Sequence, residues 1–282
     1  MTLYNDYFYD EQTELSYSSA TRMLRLLFSY IRPASVLDVG CGRGTWLQAC
    51  NELGVEDYLG LDGSYVDVTK LRIPEGRFCS KDLSSSFTLE RRFDLVISME
   101  VAEHLNLQDA RIFINNLTLH SDVILFSAAV PYQGGTGHVN ENWAEFWALL
   151  FRSEGFEPLD ILRSKLWDDR NVAFWYKQNT LLYVKSTLID NLGLRDFKNS
   201  SMPLSIIHPE MYLWACSRAL PEPAADYEGD SRYKSDLTDA WLQGRAIPKL
   251  RTYGSEYEVH FGRRARLLKN IKRFIRSIFP RY

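Results

Sequence analysis

Nothing in this chain of 282 residues offers a covalent framework. Its four cysteines, Cys41, Cys50, Cys79 and Cys216, show no C-x-x-C spacing, which speaks against a disulfide or zinc scaffold. No apolar run reaches the ~18 residues that a membrane-spanning helix needs. The opening Met1-Thr2-Leu3-Tyr4-Asn5-Asp6-Tyr7 has neither a basic start nor an apolar core. No signal peptide is therefore expected, and the cytoplasm is the default compartment. Internal repeats and low-complexity segments are missing too. Acid is missing from residues 262–282, which carry eight Lys or Arg. The rest of the chain then holds 25 basic against 36 acidic residues, within a total formal charge of −3. A body that acidic is a poor partner for nucleic acid, whose affinity comes largely from phosphate neutralisation. None is expected.

What is present suits one full globular domain with an extension: 45% apolar and 24% charged residues. Strand and helix patterns alternate from Val36 to about Ser186, as an α/β doubly wound sheet requires. Strands are predicted near 35–39, 57–61, 77–80, 93–98, 122–128, 157–163 and 179–185. Helices are predicted near 44–53, 108–119 and 142–154, with none between the last two strands. Residues 1–34 form an aromatic-rich lead-in with a helix from about Ser18 to Tyr30, which Pro33 ends. Residues 35–186 hold the alternating domain. Residues 187–260, with Pro203, Pro209, Pro221 and Pro223, read as an irregular extension with short helices, either a packing appendage or part of substrate binding. In 261–282, Leu267, Leu268, Ile271, Phe274, Ile275 and Ile278 share one helical stripe opposite the basic residues. Such a basic amphipathic helix suits anionic lipid, or packing on the domain or a partner subunit.

The most informative stretch is Val36-Leu37-Asp38-Val39-Gly40-Cys41-Gly42-Arg43-Gly44. A buried-type strand ends in an acid and three closely spaced glycines, and a helix follows with Trp46. A dinucleotide site needs G-x-G-x-x-G, so that a pyrophosphate can sit on the helix N-terminus. Here the spacing is G-x-G-x-G, and the carboxylate of Asp38 would repel a pyrophosphate while suiting an ammonium. A second strand ends in Asp62-Gly63, 24 residues after Asp38, where an acid can accept two ribose hydroxyls. Asp82-Leu83 ends a short third strand, and Phe93–Met99 resembles a fourth.

In this order the motifs resemble those of class I S-adenosylmethionine (SAM) methyltransferases. The resemblance implies a Rossmann-like seven-stranded sheet, with residues 1–34 as an N-terminal lid and residues 187–282 as a C-terminal extension. It also implies SAM as cofactor, seated by Asp38, Gly40, Cys41, Gly42, Gly44, Trp46, Asp62, Gly63, Asp82, Leu83 and Met99. Among these, Asp38 and the glycines would take the methionine part, Asp62 the ribose and Asp82 the adenine.

Glu100-Val101-Ala102-Glu103-His104 follows the fourth strand. If a helical turn begins there, Glu100, Glu103 and His104 share one face. Two carboxylates and an imidazole make a partial divalent-cation site, and His138, after the fifth strand, could complete it. E-x-x-E-H with a later His resembles the metal site of the HEN-family 2′-O-methyltransferases and of ubiquinone-pathway O-methyltransferases. By that resemblance Glu100, Glu103, His104 and His138 would hold Mg2+ or Mn2+. Without a metal, Glu103 and His104 would merely cap and orient a helix, and His138 or His104 would be the general base. His120, His208 and His260 lie outside any motif and read as surface or satisfied core residues.

Asn140, Trp143 and Trp147 are expected on one helix after the glycine-rich segment Pro131–Thr136, with Trp147 covering the sheet. Trp167–Arg170 and Trp175–Asn179 interleave aromatics with Asp, Asn, Gln and Arg, as a carbohydrate acceptor wants, or else pack on the sheet. The stretch from about 20 to 215 resembles methyltransferases of bacterial surface-glycan and secondary-metabolite clusters. The expected activity is O-methylation of a sugar hydroxyl in a glycan or nucleotide-linked precursor. Two alternatives stand: a small phenol or quinone-type acceptor with a His base, and a SAM-binding scaffold without turnover.

Overall fold

The structure is a computed structural model that describes residues 6–198 and 204–219. In chain order it runs α1 (Asp6–Leu27), β1 (Ser35–Val39), α2 (Thr45–Glu52), β2 (Asp57–Asp62), β3 (Phe78–Ser80) and β4 (Leu95–Met99). Next come α3 (Ala110–His120), β5 (Val123–Ser127), α4 (Ala144–Ser153), β6 (Phe156–Leu159) and α5 (Arg163–Leu166). α6 (Phe174–Asn179), β7 (Leu181–Lys185) and α7 (Pro209–Ala219) follow. The sheet order is β3-β2-β1-β4-β5-β7-β6, parallel from β3 to β5, with β7 antiparallel to both its neighbours. This is the seven-stranded class I methyltransferase sheet.

Alternation along the strands sorts the core into two layers, because successive side chains leave opposite faces of a sheet. Val36, Leu95, Ile97, Leu125 and Val184 bury one face under α1 and α2. Leu37, Val39, Val96, Ile124 and Phe126 bury the other against residues of α3 and α4. Since both faces are covered, the strands read as continuous apolar runs. Truncating a residue such as Leu37, which is wholly buried, to Ala would cost about 2–5 kcal/mol.

Four expectations change. The first helix begins at Asp6 and not near Ser18, since no Gly or Pro interrupts residues 6–27. β6 stops at Leu159, because the buried pair Arg163 Nη2–Asp160 Oδ2 (2.7 Å) turns the chain into α5. α5 and α6 both lie between β6 and β7, where no helix is predicted. Each is too short to show periodicity, and packing of Leu166 and Tyr176 into the core holds them rather than propensity. Finally, α4 begins only at Ala144, after an extended Trp143, so Asn140 and Trp143 precede the helix that carries Trp147. Trp147 itself is core, at 1% exposure.

His120 and His208 are satisfied core residues. His120 Nδ1 lies 2.5 Å from Asn116 O, and its Nε2 accepts Leu89 N–H at 2.9 Å. Burial holds His104, His120 and His208 below the ordinary imidazole value. The unfolded chain therefore takes up protons first as pH falls below about 6.5. Their contribution to stability is complete above that pH and is lost on the way down to the depressed native values. Against the opposite trend of the buried carboxyls Asp38 and Glu103, these three groups contribute a fall in melting temperature between pH 7 and 5. His120→Gln, whose side-chain oxygen can still accept from Leu89, should flatten that slope. A slope identical in the variant would remove His120 from the account.

Of the extension, residues 187–198 and 204–219 are described, and α7 returns to the domain, where Met211 is buried. His260 and the basic stretch 263–279 lie outside the described residues. Among those described, no helix is long and apolar enough to cross a membrane.

Candidate active site

The loop between β1 and α2 is built from three left-handed glycines, Gly40 (φ +87°), Gly42 (φ +53°) and Gly44 (φ +82°). Only glycine adopts such angles freely. At Gly40 there is a second reason, since a Cβ would come within 2.3 Å of Val101 Cγ2. Asp62, at the end of β2, ties this loop to its own. Its two oxygens accept Gly42 N–H (2.7 Å) and Gly63 N–H (2.6 Å), and the Tyr65 hydroxyl donates to the second. Burial and that Asp62 contact raise the Tyr65 phenol.

Asp38 is 2% exposed, and its Oδ2 accepts no hydrogen bond. Burial first, then the nearby Asp62, drives its carboxyl well above the usual range. An ammonium beside it would satisfy that oxygen and reverse the shift. Asp82 is exposed, and Ser84 N–H, Ser84 Oγ–H and Ser85 Oγ–H donate to it, which lowers its carboxyl.

A cleft of about 290 Å³ opens between these loops, with Gly40, Asp62, Gly63, Asp82 and Leu83 in its walls and Glu100 and His104 beside them. Three other expected cofactor residues, Trp46, Cys41 and Met99, are not among those lining this cleft. Trp46 is buried in the α1–α2 layer, edge-on to Tyr176 with ring centroids 5.3 Å apart. Cys41 and Met99 are buried, Met99 with its sulfur 3.9 Å from Ser127 Oγ.

Glu100 follows β4 in a left-handed conformation (φ +55°), so no helical turn starts there. The turn is a short 3-10 one, Ala102–His104. Glu100 is accordingly not the fourth member of one ligand face. Its half-buried carboxylate instead accepts Gln133 Nε2–H at 2.7 Å and Asn179 Nδ2–H at 3.1 Å. Burial raises it, and those amides offset part of the rise.

Glu103 is 0% exposed, and neither carboxylate oxygen accepts a hydrogen bond of normal geometry. Burial pushes its carboxyl well above the ordinary range, and the Glu100 charge adds to that. Its backbone oxygen accepts Val139 N–H (2.9 Å) and Asn140 N–H (3.1 Å), which brings the loop after β5 down onto the turn. The His104 and His138 rings then meet at right angles, with centroids 4.8 Å apart. Partial burial, and next the neighbouring His138, lower the His104 imidazole.

Glu103, His104 and His138 each offer a ligand atom within 4.8 Å of the others. Three of the four expected ligands therefore converge. An orphaned carboxylate with two imidazoles suits a divalent cation, so the residues fit one.

Several residues of this site were assigned elsewhere or missed in the sequence. Asn179 was expected beside a carbohydrate acceptor, yet it holds Glu100 together with Gln133. Glu141 carried no signal of its own, although it accepts His138 Nδ1 at 2.9 Å. Trp167 packs against His208 and Trp175 against Phe174 and Tyr176. Trp143 remains 46% exposed.

Residues 9–125 match the family model described as a methyltransferase domain. No curated protein matches the chain. Among solved structures, DesVI of Streptomyces venezuelae is similar, with 18% identity over 64% of this chain and 95% of its own, at a TM-score of 0.49. An amino pentose methyltransferase of Micromonospora echinaspora has 16% identity over 66% and 98%, at a TM-score of 0.47. Magnesium protoporphyrin IX methyltransferase from Synechocystis has 19% identity over 66% and 86%, also at 0.47. The matched domain and the sheet order support a methyltransferase enzyme with the class I fold.

Proposed function

We propose that this protein transfers the methyl group of SAM to a sugar hydroxyl, in a glycan or nucleotide-linked precursor, with a divalent cation at Glu103, His104 and His138. The observation that carries the proposal is the convergence of those three side chains at the cleft wall, with His104 common to cleft and cluster. In this reading the free oxygen of Asp38 takes the SAM ammonium. Asp62 takes the ribose hydroxyls once Tyr65 swings away, and Asp82 takes the adenine amino group. Leu83 supplies an apolar wall. Glu100, fixed by two amides, sets the entrance to the 3-10 turn and so orients Glu103.

A bound Mg2+ or Mn2+ would hold and acidify the acceptor hydroxyl, which is a poor nucleophile while protonated. The acceptor oxygen bonds to the methyl carbon, the sulfur–methyl bond breaks, and S-adenosylhomocysteine leaves. The proton goes to a base of the cluster. Exposed Trp143 and Tyr132 at the loop after β5 offer flat faces of the kind a sugar ring stacks on.

A second reading keeps SAM but methylates a small phenol, with neutral His138 as general base. The contact of His138 with the Glu141 carboxylate favours it, since a general base must be held in place by a partner of this kind. Dialysis against EDTA separates the two. Turnover on a panel of glycan donors, read as S-adenosylhomocysteine, is expected to fall at least ~10²-fold and to return with Mn2+. Unchanged turnover in EDTA would sink the cation and leave His138 as base.

A further inference from the structure

We propose that Glu141 is the positioning residue of the acceptor site: its carboxylate holds His138 by Nδ1–H and leaves Nε2 as the working nitrogen. The inference rests on reading Glu103, His104 and His138 as that site. His138 Nδ1 lies 2.9 Å from Glu141 Oε1, with the two side chains only 12% and 18% exposed. Glu141 is itself fixed. Oε1 also accepts Gly134 N–H at 2.5 Å, and Oε2 accepts Tyr132 N–H at 2.8 Å.

An ionised carboxylate offers no proton, so the partner nitrogen must carry one. In a neutral imidazole that leaves the lone pair on Nε2, the nitrogen available to a cation or an acceptor proton. The surroundings are shaped to the same end. Tyr132 sits at φ +69°, a conformation a tyrosine rarely adopts, and its amide is thereby spent on Glu141. The ring edge lies on Gly135, where a Cβ would come within 2.2 Å of Nε2, so only glycine lets the imidazole stand there. Beyond it stands the perpendicular ring of His104. A carboxylate that merely stapled the loop through Tyr132 and Gly134 would have no need of this ring.

The test uses the full chain labelled with 15N and reads two-bond proton–nitrogen correlations of the imidazole, assigned with His138→Asn. A protonated Nδ1 and an unprotonated Nε2 are expected in the wild type. In Glu141→Gln, whose amide can donate or accept, the two forms should mix, whereas Glu141→Asp should keep the wild-type pattern. Mn2+ alone, followed by electron paramagnetic resonance, should bind ~10–100-fold more weakly to Glu141→Gln, the usual cost of losing an outer-shell partner. The proposal is overturned if wild-type His138 carries its proton on Nε2, or if Glu141→Gln keeps the wild-type pattern. Should Glu141→Gln collapse the loop, the wild-type tautomer decides alone. Wild type that binds no Mn2+ sinks the cation reading and leaves the tautomer readout intact.

Discussion

Asp62→Ala is expected to weaken SAM binding by roughly 10²–10⁴-fold, from two lost charge-assisted hydrogen bonds at ~1.5–3 kcal/mol each. The carboxylate does two jobs in the proposed site. It accepts Gly42 N–H and Gly63 N–H, which fixes the glycine loop against the end of β2. It also presents the acceptors for the ribose diol, a place that the Tyr65 hydroxyl takes in this structure. Removing it orphans two amides and leaves the diol unpaired. Tyr65→Phe is the control: it empties the same place without touching the carboxylate, so binding should hold or tighten. Calorimetry with SAM reads both variants. Wild-type affinity in Asp62→Ala, with the fold intact by circular dichroism, would remove Asp62 from the ribose subsite.

Glu103→Gln is expected to lose activity and gain stability. The buried carboxylate accepts no hydrogen bond of normal geometry and stands beside a second carboxylate, that of Glu100. Leaving a charged group in that state costs about 1–3 kcal/mol or more. The native carboxyl titrates above its ordinary value near 4.5, so the folded protein holds the proton longer than the unfolded chain does. Stability is therefore lost as pH rises through 4.5 toward the native value. An amide of the same shape abolishes that loss and can donate to Glu100. At ~2–4 °C per kcal/mol for a chain of this size, the melting temperature at pH 7.5 should rise by several degrees. The gain should vanish below about pH 4, where both states are protonated. Turnover should fall at least ~10²-fold, as when a group that takes part in proton transfer is lost. A variant that keeps its turnover would take Glu103 out of the chemistry. One that melts lower at pH 7.5 would show that the carboxylate has a partner.

Much of the donor cleft was legible, for local reasons. Three glycines in five positions after an apolar run can hardly do anything but turn, and an acid at the next strand end falls where parallel strands finish together. Glu103 and His104 were legible as neighbours on one short turn. His138 lies 34 residues further on, and it was reached only because the loop after the fifth strand must return to the same sheet edge. The errors have physical causes as well. Glu100 left the ligand face because one backbone angle turned left-handed. Trp46 went to the core because α2 presents that side to α1. Glu141 looked like one more acid in a loop.

By itself the chain of residues determined the alternation that buries both sheet faces, the glycine turn and the acids that ring it. Those are properties of near neighbours, where spacing and periodicity leave few conformations. Only the tertiary structure decided which acid keeps an oxygen free. Asp62 and Glu100 are occupied by amides from Gly42, Gly63, Gln133 and Asn179, whereas Asp38 Oδ2 and the Glu103 carboxylate are buried with no hydrogen bond of normal geometry. That difference rests on hydrogen bonds between segments up to 79 residues apart, and on the withdrawal of water that makes an unmet charge costly.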